Sequence, residues 1–167
     1  APLLTDTDTP GSRCRLILLA PNRQAYGQIS SLISKLRKRS DKGTYYLTRH
    51  DLQVGLSECL GIWICEGQGV EQLSALGAHL QSLIPRLWIG LGLFHDGQDL
   101  HKTASALTLS SALKLPIVAV NDVHTHCPER QGLQNIVSAI RLKTDIHSLG
   151  YQGFCNAERT LRPITAH

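Results

Sequence analysis

Four short apolar runs, each unbroken by charge, constrain this chain more than any other feature: Leu16–Ala20, Leu60–Cys65, Leu87–Phe94 and Pro116–Asn121. Continuous rather than alternating apolarity is the pattern of strands buried on both faces, as in a parallel sheet covered by helices. Between and after them lie stretches of helical period. Residues 23–39 align Tyr26, Ile29, Leu32, Ile33 and Leu36 on one stripe, and residues 70–84 align Leu73, Leu76, Leu80 and Ile84. Residues 98–114 repeat the pattern with Leu100, Ala104, Leu107 and Leu113. Residues 128–142 carry Leu133, Ile136, Val137 and Ile140, with Pro128 suited to a first helical turn. Strand alternating with helix predicts an α/β fold of parallel βα units, either an open layer or a barrel. The 41–52 insert reads as a loop followed by a short helix capped by Thr48.

At 167 residues there is room for one domain with a proper core. We expect it over 13–143, with a flexible segment at 1–12 and a peripheral, weakly periodic segment at 144–167. The five cysteines are odd in number and contain no C-x-x-C pair. That favours a reducing, cytoplasmic setting over a disulfide framework or a zinc ribbon. No run reaches the length of a membrane span, and the polar N-terminus lacks the regions of a signal peptide. The absence of methionine fits either a removed initiator or a piece of a longer protein.

The net charge of +4 is concentrated in Lys35, Arg37, Lys38 and Arg39, with Lys42 nearby. Such a cluster is a candidate nucleic-acid contact. The simpler reading is a solvated helix end, where basic side chains also suit the helix dipole.

Ligands of parallel βα folds bind at the carboxyl ends of the strands. Those ends carry Pro21–Asn22, Glu66, His95–Asp96 and the segment Asp122-Val123-His124-Thr125-His126. Asp122 and His124, two apart, share one side of an extended segment, and a carboxylate with an imidazole is half of a zinc, manganese or iron site. His126 continues that side and Cys127 points away. His95, Asp96 and Glu66 are further candidate ligands. The alternative is that Asp122 caps the following helix and His124 is an ordinary loop histidine. His79 and His101 read as surface residues, and Trp63 and Trp88 as core. No nucleophile elbow, P-loop or dinucleotide fingerprint is present. Gly90 and Gly92 suggest close backbone packing.

Several stretches resemble one family. RLILLAPNRQAYGQISSLI (15–33) and LPIVAVNDVH (115–124) resemble signatures of the polymerase-and-histidinol-phosphatase (PHP) domain of bacterial C-family DNA polymerases. KGTYYLTRHDL (42–52), CLGIW (59–63), DVHTH (122–126), LQNIVSAIR (133–141) and GYQGFCNAERTLR (150–162) are closer to the error-prone, translesion branch. The likeness runs from about residue 13 to 162, with the motifs in the family's order.

It implies a partial PHP-type distorted (β/α)7 barrel whose exposed strand edges favour self-association. It also implies a divalent metal, zinc or manganese, in an incomplete site. Asp122 and His124 match the family's final D-x-H motif. The family's initial H-x-H segment precedes the point where this chain starts, and Gly92 stands where a third-strand glutamate is expected. The expected function is that of a structural or weakly metal-binding piece of an error-prone DNA polymerase. Its partners would be DNA, through the parent polymerase, and other replication and repair proteins. A palm domain with polymerase carboxylates is absent from these residues. The alternatives are a stand-alone PHP-type phosphoesterase, with a metal-bound hydroxide attacking a phosphate ester, and a metal-free module binding nucleic acid through the basic cluster.

Overall fold

The structure is a computed structural model that describes residues 3–5, 13–41, 47–65 and 69–162. Five strands form one sheet in the order β1 (Leu3–Thr5), β2 (Arg13–Leu19), β3 (Leu60–Ile64), β4 (Arg86–Leu91) and β5 (Ile117–Ala119). The helices are α1 (Arg23–Arg39), α2 (Val70–Leu83), α3 (Asp99–Leu113) and α4 (Gln131–Leu142). Short 3-10 turns occupy Arg49–Val54, Pro128–Arg130 and Gly150–Gln152. The chain is α/β.

The sheet is open and mixed, which corrects the expected all-parallel arrangement. β3 and β4 run parallel, with Leu60 opposite Arg86. β2 is antiparallel to both β1 and β3, with Leu19 opposite Leu60. Two-sided apolarity reports burial, not direction. β3 begins beside the end of β2. Leu3–Thr5, within the segment expected to be flexible, forms the edge strand β1.

The chain forms two compact units: residues up to 91 with 102–118, and residues 92–101 with 119 onward. The first holds a continuous apolar core that includes Leu16, Leu36, Trp63, Leu80, Ile89 and Leu109. Helix α1 starts where Asn22 accepts the Ala25 N–H at 2.8 Å, an N-cap. It buries Ala25, Leu32 and Leu36 but leaves Tyr26 and Ile33 exposed. All four expected α2 residues, Leu73, Leu76, Leu80 and Ile84, are buried. A Cβ on Gly77 of α2 would sit 2.4 Å from Leu113 and 2.6 Å from Trp63, so the close approach requires glycine.

Three further expectations need correction. Helix α3 buries Ala106 and Leu109 rather than Leu100 and Leu107, because apolar residues surround it and the pattern selects no single face. The α4 stripe of Leu133, Ile136, Val137 and Ile140 is exposed. His79, expected at the surface, is half-buried, and its Nε2 has no hydrogen-bond partner. Trp63 is fully buried and Trp88 half-buried.

Candidate metal centre

The segment after β5 lies wholly in the second unit. It is laced to residues 159–161: Asn121 Nδ2 donates to Thr160 O at 2.8 Å. The N–H groups of His124 and Thr125 donate to Arg159 O at 2.8 and 3.2 Å, and Leu161 N–H donates to Thr125 O at 3.0 Å. This lacing sets the Arg159 side chain beside Asp122, whose Oδ2 accepts a hydrogen bond from Arg159 Nη1. His124 Nε2 lies 3.7 Å from the same oxygen. The sequence spacing therefore pairs the right residues, although Asp122 is not extended: its φ is +37°, a left-handed conformation that aspartate accepts more readily than most residues.

Arg159 is held on two further sides. Its guanidinium carbon is 4.0 Å from the Phe94 ring centroid and 4.6 Å from that of Phe154. Each such cation–π contact contributes about 0.5–1 kcal/mol at exposed sites and more when desolvated. The His124 ring packs on Phe154 with centroids 4.6 Å apart at 54°. Asn156 Nδ2 donates to Phe94 O at 2.6 Å and His95 O at 3.2 Å, fixing the turn that carries Phe94. Asp99 accepts the N–H groups of Phe94 and His95 at 3.1 and 2.9 Å. A cleft of about 500 Å³ opens beside the clamp, lined in part by Phe94, Asp96, Phe154, Asn156 and Arg159. Asp122 and His124 are not among its lining residues.

Among the described residues, the other expected ligands do not join this corner. His95 is exposed on a left-handed turn with φ +50°. His126 has its Nε2 3.4 Å from Cys127 Sγ, so Cys127 does not point away from it, because the chain turns into the 3-10 helix at Pro128. A hydrogen bond to Glu129 pushes the Cys127 thiol up from its ordinary pKa, which disfavours the thiolate a metal would need. Glu66 lies outside the described residues. Among the described residues, no three His, Cys, Asp or Glu side chains converge to hold a metal ion. The Asp122 carboxylate already faces a cation, and a dication beside that guanidinium would meet like charge. As they stand, Asp122 and His124 do not fit a metal.

The basic cluster is also partly committed. Arg39 donates two bonds to Asp51, Nη1 to Oδ1 at 2.7 Å and Nη2 to Oδ2 at 2.9 Å. Lys35 Nζ is 3.6 Å from the same carboxylate. Thr48 donates to Asp51 Oδ2 through its N–H at 2.9 Å and its hydroxyl at 2.7 Å. Burial pushes the Asp51 carboxyl up, but the Arg39 guanidinium and the two Thr48 donors outweigh it and hold it well below the usual carboxylate range. Arg37 and Lys38 are exposed on the last turn of α1, and Lys42 lies outside the described residues.

Sequence reasoning missed Arg159, Phe94, Phe154 and Asn156. One signal was available: the chain has only two phenylalanines, and both meet at Arg159.

Fold and site together define an α/β chain with an open mixed sheet and a D-x-H corner whose carboxylate is satisfied by arginine. Its relatives give that class a more particular setting. The chain is 43% identical over 152 residues to the error-prone DNA polymerase of Methylococcus capsulatus, covering 90% of this chain and 14% of that protein. It is 38% identical over 152 residues to the one from Pseudomonas paraeruginosa (91% and 15%). It is also 38% identical over 154 residues to the one from Dechloromonas aromatica (89% and 15%). No protein-family model matches the chain. Over about nine-tenths of its length the chain is a relative of the error-prone DNA polymerases, and it spans about one seventh of theirs.

Proposed function

We propose that this chain is part of the PHP region of an error-prone DNA polymerase and serves it as a structural module rather than a hydrolytic one. The observation that carries this reading is similarity over nine-tenths of the chain to relatives of which it spans about one seventh. The Asp122–Arg159 pair supports the structural role, because it occupies the carboxylate that a hydrolytic metal would need. On this reading the open sheet is an arc of the distorted (β/α)7 barrel, and its edges β1 and β5 are where further strands or a second copy would pair. Polymerisation opposite damaged templates belongs to the whole protein, which would contact DNA largely through its other domains. Exposed Arg37 and Lys38 offer at most a minor phosphate contact. Other replication and repair proteins would bind the whole polymerase, and the setting would be the cytoplasm. Among the described residues, no helix is long and apolar enough to cross a membrane.

Grafting this chain in place of the matching segment of the Methylococcus capsulatus polymerase tests the reading. Primer extension should persist in the graft and be unchanged by Asp122→Asn. In parallel, the isolated chain should hydrolyse a phosphodiester with added manganese no faster than its Asp122→Asn variant. Metal-dependent turnover lost in that variant would replace the structural reading with a stand-alone phosphoesterase.

A further inference from the structure

We infer that Arg159 is a built-in replacement for the metal: its guanidinium is the resident cation of the Asp122–His124 corner, and Gly92 is the residue that makes room for it. The inference goes beyond the polymerase reading and rests on the resemblance only for the glutamate expected at position 92. Three observations within the second unit meet in this assignment.

The first is charge. Asp122 supplies one negative charge and Arg159 one positive charge, through a direct hydrogen bond, so the pair is neutral without any added ion. His124, 3.7 Å from the carboxylate, is the only other candidate donor at the corner among the described residues. Two donors make a weak site beside the three or four that a mononuclear site uses, so a resident cation on the carboxylate is enough to exclude a metal.

The second is position. Arg159 is not a surface arginine that happens to reach a carboxylate. Its backbone oxygen accepts from both His124 and Thr125, which ties it to the D-x-H segment itself. Its guanidinium lies between the rings of Phe94 and Phe154, and the side chain is only 18% exposed. A planar cation stacked on aromatic faces suits arginine far better than a hydrated metal.

The third is the third-strand position. A Cβ on Gly92 would sit 2.7 Å from two Phe94 ring carbons and 3.2 Å from Val120 O. A glutamate at 92, where the resemblance predicts a metal ligand, therefore cannot coexist with Phe94 in its present place. A side chain at 92 and the Phe94 ring in this position exclude each other. Glycine admits the Phe94 ring, the ring holds Arg159, and Arg159 neutralises the carboxylate that remains.

Titration calorimetry of the chain with zinc chloride and with manganese chloride tests this directly, using wild type, Asp122→Asn, Arg159→Gln and Arg159→Gln/Asp122→Asn. Wild type should show no equivalent of metal whose binding depends on Asp122. Arg159→Gln should lower the melting temperature by on the order of 5 °C and open the carboxylate, giving metal binding that disappears in the double variant. One equivalent bound by wild type and lost in Asp122→Asn would overturn the assignment. A folded Arg159→Gln with unchanged melting and no gain in metal binding would do so equally. If Arg159→Gln does not fold, the wild-type titration decides alone. Failure of the polymerase graft, by contrast, would leave these metal titrations unaffected.

Discussion

Asp51 in the first unit and Asp122 in the second are both paired with arginine, and they solve the same electrostatic problem differently. Asp51 is fully buried, with a bidentate Arg39, a nearby Lys35 and two donors from Thr48. Asp122 keeps 22% of its side chain exposed, sits in a left-handed conformation, and meets an arginine fixed by aromatic faces. The first carboxylate is held by partners three and twelve positions away and fastens the end of α1 to the 3-10 turn at Arg49–Val54. The second is held by a residue 37 positions away, through a web of backbone hydrogen bonds. A buried carboxylate with several donors is a fastening of the core. A half-open one in a loop, with an imidazole beside it, is a carboxylate whose cation is supplied by a side chain.

The comparison can be broken most severely at Asp51. Arg39→Met leaves that carboxylate buried without its main partner and should cost about 3–5 kcal/mol, a large part of a domain's stability. Urea denaturation followed by tryptophan fluorescence reads the first unit alone, because Trp63 and Trp88 both belong to it. A loss below about 1 kcal/mol would show that Lys35 and Thr48 suffice.

Acid should break the same contact. The folded-state pKa of Asp51 lies below its unfolded value of 3.8, so the unfolded chain takes up the proton first. The stabilisation is full above the unfolded pKa and is lost as pH falls through the folded one. Wild type should therefore lose this contribution only at pH below about 4, and Arg39→Met should abolish much of that acid sensitivity. An unchanged pH profile would contradict this role for the pair.

Overpacking the first core is the next smaller effect. Gly77→Ala forces a methyl to within 2.4–2.6 Å of Leu113 and Trp63 and should cost about 1–3 kcal/mol in the same assay. The smallest effect is expected on α4. Ile140, 71% exposed, should tolerate Ile140→Ser within about 0.5 kcal/mol, measured by amide exchange of α4. A larger loss would mean that this apolar stripe is covered in solution.

Much of the fold is legible in the sequence where burial and periodicity agree. Helix α1 occupies the expected 23–39, and the α2 stripe is buried throughout. The pattern fails where periodicity is taken to imply a partner. The α4 stripe is amphipathic yet exposed, because a period of 3.6 makes one face apolar without supplying anything to cover it. Strand direction is equally unreadable from apolar runs alone. At the site, Asp122 and His124 come together as their spacing suggests, through a left-handed residue rather than an extended segment. Arg159 carries no local signal, since only the backbone lacing of 121–125 to 159–161 brings it there. The basic cluster misleads for a similar reason: the anion facing Lys35 and Arg39 is Asp51, twelve residues beyond Arg39.

The central claim is that Asp122 and Arg159 act as one unit in the absence of metal. A double-mutant cycle of Asp122→Asn and Arg159→Gln, in chelator, tests it most directly. Asparagine suits the left-handed backbone while removing the charge. The readout is protection of the His124 and Leu161 amides, which donate to Arg159 O and Thr125 O. The account predicts that the second substitution adds little to the first, a coupling of about 1 kcal/mol. Fully additive losses of protection would contradict it.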